Sequence, residues 1–164
     1  MSMICNFLRV TESELEDYLK DSSLLENRIY NEGQDDDNPV DIDKTWDGIT
    51  FLLAGRNFAE AEAQLSGAIF SEQFVDEDQD LGYGPAHYLT AEQVADLNHE
   101  ISAITVDALK LNFNPKEMTE IGVYPFIWEE GEDAFEYVAD GFLTVQKVFA
   151  DAAKNGEAII TFLD

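Results

Sequence analysis

The sequence predicts an α+β fold: a single compact domain in which a small mixed sheet packs against several helices. Strand-like apolar segments stand at the two ends of the chain, and helix-capping patterns followed by apolar residues at helical spacing lie between them. The 164 residues suit one domain, and a domain of this size buries roughly 68–70% of the surface that its unfolded chain exposes. We therefore expect residues 1–164 to form one domain around a hydrophobic core.

The N-terminal and C-terminal strands are predicted to be central in the sheet. Residues 3–10 and 158–163 are apolar on both faces, which is the pattern of strands that are covered on each side. We expect these two strands to be neighbours.

Capping patterns mark the helix starts. Thr11-Glu-Ser-Glu14 and Thr90-Ala-Glu-Gln93 have the form of a capping box, and Asn114-Pro-Lys-Glu117 combines a cap with proline at the first helical position. The most regular helix spans residues 132–154, where apolar side chains recur at alternating steps of three and four, and Asn155-Gly156 is predicted to end it.

Residues 41–55 are the most informative stretch, because three carboxylates, an ammonium and an indole lead directly into an apolar helix. We predict that Asp43 caps this helix and that Gly55 ends it in a left-handed conformation. Asp47, near the start, is favoured by the helix dipole. The predicted buried stripe consists of Trp46, Ile49 and Leu53, with Leu52 beside it.

The connecting segments carry weaker signals. Residues 31–39 and 74–84 are polar or acidic and contain turn-forming residues, so both are predicted to be loops. A short helix is predicted for residues 58–66, opened by Asn57, and a short strand for residues 68–70.

The composition is globular but strongly acidic. Apolar residues make up 45% of the chain, yet 35 acids against nine bases give a net charge of −26. Residues 1–82 hold 20 acids and five bases, and residues 83–164 hold 15 acids and four bases, so the excess is no acidic tail. Such a field disfavours direct binding to nucleic acid or anionic lipid and attracts a basic protein partner. A surface adapted to high salt, with no partner, would have the same composition.

The compartment is expected to be cytoplasmic. Cys5 is the single cysteine, so no intrachain disulfide and no multi-cysteine metal site can form. No apolar run approaches the ~20 residues of a membrane span, and the start lacks a basic region followed by a long apolar run.

No motif in the chain defines a reaction. Asp76, Asp78 and Asp80 match the first three ligand positions of a calcium loop, but Leu81 and His87 stand where the glycine and the bidentate glutamate are needed. The carboxylates of residues 129–133 suit the start of a helix better than acid–base chemistry. We predict no catalytic residue, no metal site and no cofactor.

A group of aromatic and polar residues is the candidate for a ligand pocket. Its predicted members are Asp43, Lys44, Trp46, Asp47, Tyr83, His87, Tyr88 and Tyr124. If they gather in space, His87 is the member that titrates near neutrality.

The alternative is that this group is structural. Trp46, Tyr124 and Trp128 would then belong to the core, and Lys44 would pair with Asp41 or with Asp47 at the surface.

Two further strings carry a family resemblance. The resemblance is carried by residues 80–94, with Tyr-Gly-Pro-Ala-x-Tyr-Leu-Thr, by residues 121–128 and 41–55, and by the Met-Ser-Met-Ile-Cys start. In these segments the chain resembles the YfbM-like family of small bacterial proteins, which are largely of unknown function. The resemblance spans nearly the whole chain and implies a compact α+β domain, without implying a catalytic set. The acidic residues 71–79 depart from the pattern and look like an insertion.

Three hypotheses of function follow. The first is a non-enzymatic binding protein with a basic protein partner. The second is an enzyme or small-molecule binder that uses a pocket around Asp43–Asp47 and Tyr83–Tyr88, and the third takes the charge as a salt adaptation unrelated to activity. The oligomeric state is left open.

Overall fold

A four-stranded antiparallel sheet lies between two layers of helices in the computed structural model, which describes residues 2–31, 39–58, 61–62 and 64–164. The strands are β1 (Cys5–Val10), β2 (Val40–Asp41), β3 (His87–Leu89) and β4 (Ala158–Leu163). The helices are α1 (Glu12–Lys20), α2 (Ser22–Tyr30), α3 (Trp46–Leu53), α4 (Ala91–Ile101), α5 (Val106–Lys110), α6 (Pro115–Ile121) and α7 (Glu132–Asn155). None of these helices is both long and apolar enough to cross a bilayer.

The strand order is β2-β1-β4-β3, so the N-terminal and C-terminal strands are central, as predicted. The α+β class is confirmed, but the described strand pairs are all antiparallel and the expected mixed sheet is not found. Because α7 ends at Asn155 and Ala158 pairs with Val10, β4 starts where β1 ends and can only run back along it.

Each face of the central strands belongs to a separate apolar core. On β1, Cys5 and Phe7 face the layer of α3, α4 and α7, whereas Leu8 and Val10 face the layer of α1 and α2. This alternation follows from the two-residue period of a strand. It explains why both terminal segments are apolar on both sides.

The predicted caps are present. Thr11 Oγ1 accepts from the Glu14 N–H (3.1 Å) while Glu14 Oε1 accepts from the Thr11 N–H (2.9 Å), and Thr90 forms the same box. Asn114 Oδ1 accepts from the Glu117 N–H (3.1 Å) at the start of α6. Gly156 ends α7 in the left-handed region, with φ 65°.

The prediction for the ends of α3 is wrong at both positions. Asp43 does not cap the helix, which begins after Thr45, and Asp43 itself adopts φ 53°. Gly55 is not left-handed; instead, the side chain of Asn112 donates to the Leu52 carbonyl (2.9 Å), so a distant residue satisfies the helix end. A Cβ at Gly55 would lie 2.8 Å from the Asn112 Cβ, so this glycine permits close approach.

The segment after α3 also differs from expectation. The short strand predicted for residues 68–70 is wrong, because Leu65–Ala68 forms a 3₁₀ turn. The helix predicted for residues 58–66 falls partly on residues 59, 60 and 63, which lie outside the described residues, and its beginning is a 3₁₀ turn, Arg56–Phe58. Residues 32–38 of the predicted loop also lie outside the described residues.

Gly141→Ala is expected to destabilise the fold even though alanine is the better helix former. A Cβ at this position of α7 would lie 2.8 Å from the Cβ of the buried Thr45, so the added methyl group overpacks the contact. We expect the free energy of unfolding to fall by about 1–3 kcal/mol, measured by urea denaturation. Gly67→Ala is the matched control, since no atom lies within 4 Å of its added Cβ. Equal stability of the two variants would contradict this account of the α3–α7 contact.

Candidate functional site

The structure divides the predicted pocket residues into two sets. The first set gathers where the segment before β1 meets α3 and α7, and it consists of Asp43, Lys44, Trp46, Asp47 and Tyr124. Tyr83, His87 and Tyr88 belong to a turn and to β3. Phe70 joins the sets, because its ring contacts those of Trp46 (5.5 Å between centroids) and His87 (4.9 Å).

Trp46 and Tyr124 hold the backbone of Met3 between them. Their rings stack with centroids 5.4 Å apart and planes 27° from parallel. The indole Nε1–H of Trp46 donates to the Met3 carbonyl (3.0 Å), and the Met3 N–H donates to the Tyr124 hydroxyl (3.1 Å). The polar ends of both rings are thereby used to position the chain that enters β1.

Asp47 fixes the other side of this pair. Its Oδ2 accepts from the backbone N–H of Tyr124 at 2.9 Å, which ties the first turn of α3 to the segment before α7. The carboxylate also lies at the helix N-terminus, where a negative charge is favoured. Its observed role is therefore to connect two elements.

Asp43 is bound to a residue that the sequence did not single out. The Tyr137 hydroxyl, on α7, donates to Asp43 Oδ2 (2.6 Å) and accepts from the Lys44 N–H (3.2 Å). Partial burial, and then the hydrogen bond to the Asp43 carboxylate, raises the pKa of Tyr137 to about 12.

Lys44 contributes its backbone rather than its side chain to this network. Among the residues that the structure describes, the ion pairs do not include Lys44, so the expected pairing with Asp41 or Asp47 is not observed.

His87 lies among rings at the start of β3. Its ring centroid is 4.9 Å from that of Phe70 and 4.6 Å from that of Phe74. Its Nδ1 is 2.6 Å from the Ser71 carbonyl oxygen, which can only accept, so Nδ1 carries the proton. Phe70 and Ser71 were not predicted as partners of His87, because no local sequence pattern marks them.

The turn before β3 uses the carboxylates that resemble a calcium loop. Asp80 Oδ1 accepts from the N–H groups of Gly82 (2.9 Å) and Gly84 (3.1 Å), and these bonds lower the pKa of Asp80. Asp76 accepts from the Ser22 hydroxyl (2.7 Å), which lowers its pKa. Across the described residues, no group of three potential metal ligands is found.

Tyr83 and Tyr88 complete the predicted set. Tyr83 is exposed on this turn, whereas the half-buried Tyr88 packs against the α1–α2 core. The Tyr88 carbonyl accepts from the Ser71 hydroxyl (2.6 Å).

A groove of about 410 Å³ opens beside His87. Phe70, Ser71 and Gln73 line it, together with side chains of α4, but the Asp43–Asp47 segment does not. The side-chain amides of Gln73 and Gln93 bond to each other at 2.7 and 3.2 Å. A binding role for the predicted residues stays a prediction.

Carboxylates dominate the charged surface. Four ion pairs are seen among the described residues: Arg9–Glu157, Arg28–Glu14, Lys110–Glu132 and Lys147–Asp151. Exposed acids without a partner in these pairs include Glu12, Glu16 and Asp17 on α1, and Asp133, Glu136 and Asp140 on α7. Both helical layers therefore present uncompensated negative charge.

Tyr137→Phe is expected to lower the free energy of unfolding by about 1 kcal/mol near neutral pH, because the Asp43 carboxylate loses a donor. The pH dependence should change as well. A folded-state pKa raised from 10.0 to about 12 favours the neutral phenol, so this contribution is complete below pH 10 and is lost between pH 10 and 12. The variant should therefore lose less stability than the wild type over that interval, as measured by urea unfolding.

Tyr83→Phe is the control for this measurement, because its side chain is exposed and lies outside the Asp43 network. If Tyr83→Phe and Tyr137→Phe follow the same pH profile, the Asp43–Tyr137 hydrogen bond does not contribute in the way described.

Comparison with known proteins identifies a family without assigning an activity. The chain is similar in fold to a protein of unknown function, YfbM from Escherichia coli, whose crystal structure matches with a TM-score of 0.74 and 18% sequence identity over 99% of this chain and 100% of that chain. No curated protein shows significant sequence similarity. The profile described as a domain of unknown function (DUF1877) matches residues 1–162. The resemblance to YfbM-like proteins is thereby confirmed, and the chain belongs to the DUF1877 family.

Proposed function

We propose that this protein is a non-enzymatic binding protein whose partner is a protein with a basic surface. The observation that carries the proposal is the uncompensated charge: a net −26 over the chain, with exposed carboxylates on both helical layers. A field of this sign attracts a cationic surface and speeds its association, especially at low salt.

The organisation of the predicted pocket supports the same proposal. Its polar groups already form hydrogen bonds within the protein. This holds for Asp43, Trp46, Asp47 and Tyr124. General acid–base catalysis would need an ionisable side chain within hydrogen-bond reach of a substrate.

Affinity purification of the tagged protein from its source cells at low salt is expected to retain a stoichiometric basic protein that a high-salt wash releases. The purified pair should then bind with an affinity that falls steeply as salt rises, because the attraction is screened. Isothermal titration calorimetry over a salt series measures this dependence. In a comparison variant, exposed acids of α1 such as Glu12, Glu16 and Asp17 become Gln or Asn. Because this variant keeps most of the negative charge, its affinity for the partner should fall only moderately.

An empty low-salt eluate would count against the binding proposal. If the charge serves salt adaptation instead, the melting temperature should continue to rise in potassium chloride well beyond the concentration at which screening saturates.

A second candidate function is small-molecule binding at the groove beside His87. Its volume of about 410 Å³ lies within the range of ligand pockets, and Phe70 supplies an aromatic wall. A thermal-shift screen of polar and cationic metabolites is expected to give a hit that Asp96→Asn weakens, because the exposed Asp96 side chain lines the groove, and that Lys44→Ala retains, because Lys44 lies outside the groove. A hit that Asp96→Asn leaves unchanged, or that Lys44→Ala abolishes, would place the ligand outside this groove.

A further inference from the structure

The segment around α6 exposes apolar side chains to an unusual degree. Among the large apolar residues that the structure describes, the three most exposed are Leu111 (76%), Phe126 (68%) and Ile121 (63%). All three lie within residues 111–126, on either side of or at the end of α6. Single exposed apolar side chains are ordinary, but a group of them marks an interaction surface.

All three side chains belong to the segment around α6, and the Phe126 ring folds back onto the end of this helix. Because α6 has seven residues, its ends are only about 10 Å apart. Met118 anchors the helix and is completely buried. The Phe126 ring lies over Gly122, 3.9 Å from the position of a Cβ there, and packs edge-on against the Tyr124 ring at 5.9 Å. We call the surface formed by Leu111, Ile121, Phe126 and the exposed side of α6 the α6 surface.

Two grooves flank the α6 surface and meet at Pro115. The first, of about 720 Å³, is lined by Leu111, Phe113 and Ala54, among others. The second, of about 430 Å³, is lined by Thr119 and Trp128. Both grooves are concave, as anchoring side chains of a partner require, and the protruding Leu111 forms part of the wall of the first.

Phe126 occupies a backbone conformation that burial does not explain. Its φ of 71° lies in the left-handed region, which is unfavourable for a bulky side chain. Nevertheless 68% of the residue is exposed, so the conformation directs a large ring outward rather than into the core.

Charge complementarity indicates what covers this surface. The exposed carboxylates of the segment belong to Glu117, Glu120, Glu129 and Glu130. Arg56 and Lys116 are the bases that line the same grooves. A second copy of this chain would bring two acidic surfaces of the same kind together, each on a molecule of net charge −26. A cationic partner that also carries apolar anchors satisfies both features.

We propose that the α6 surface is the docking site for a basic protein segment in which apolar side chains alternate with cations. The inference rests on the proposed function, and it adds the place of contact and the apolar component of recognition. The apolar anchors enter the two grooves and pack against Leu111, Ile121 and Phe126, while the cations meet the surrounding glutamates.

The test uses two short probe peptides of equal length and charge, one of alternating Lys and Leu and one of alternating Lys and Ser. Binding to the full chain is measured by calorimetry and located by amide chemical shifts. We expect the Lys/Leu peptide to bind more tightly, with the largest shifts in residues 111–126. The double variant Phe126→Gly, Ile121→Ser should weaken this peptide by about tenfold.

Phe126→Gly suits the test, because glycine adopts positive φ without strain and the variant should fold at least as well as the wild type. Leu24→Ser on α2, also an exposed position at 46%, is the matched control and should leave peptide affinity unchanged. Leu111→Ser tests the larger groove independently.

The outcomes separate this proposal from the proposed function. Equal affinity for both peptides, an unchanged Lys/Leu affinity in the double variant, or no binding of the Lys/Leu peptide would overturn the docking site. Self-association of the wild type that the double variant abolishes would also overturn it, because the occupant would then be a second copy. In each case, a basic partner retained at low salt would leave the proposed function standing, and an empty eluate would remove both.

Discussion

The pairing of β1 with β4 is the constraint on which the rest of the structure depends. Their register joins Cys5 to Leu163 and Val10 to Ala158, so the two ends of the chain form the centre of the sheet. Because both faces of this pair are buried, one core forms under α3, α4 and α7 and another under α1 and α2. Every helical layer is positioned by side chains of these two strands, and loss of the pair would separate the two cores.

The charged and aromatic residues near the start of α3 support this arrangement rather than a visible reaction. Trp46 and Tyr124 hold Met3 just before β1, and Tyr137 holds Asp43 just after β2. Buried or half-buried polar groups are stabilising when they are hydrogen-bonded, and these groups have partners. Among the described residues, the exposed carboxylates and the apolar side chains around α6 lie outside this network.

The local features of the fold could be predicted from the sequence, because caps and apolar periodicity act over a few residues. Thr11 and Asn114 show this. The end of α3 could not be predicted, since Asn112 lies 60 residues from Leu52. Asp43 and Tyr137 are 94 positions apart, and no pattern in the sequence links them. β3 has only three residues, too few for a clear alternation. The exposure of Phe126 could not be predicted either, because it depends on which side chains the rest of the fold covers.

Two backbone hydrogen bonds of 3.0 Å join Ile4 to Asp164 and extend the β1–β4 pair. This pairing bears on how the chain folds. The most central strand pair joins the most distant parts of the chain, so folding must close a very long loop before the sheet can exist. A short linker between these adjacent ends, with new termini opened at the exposed Asp78, would turn β1 and β4 into a hairpin. The strand pair with the longest sequence separation would then become one of the most local, while its packing partners stay the same.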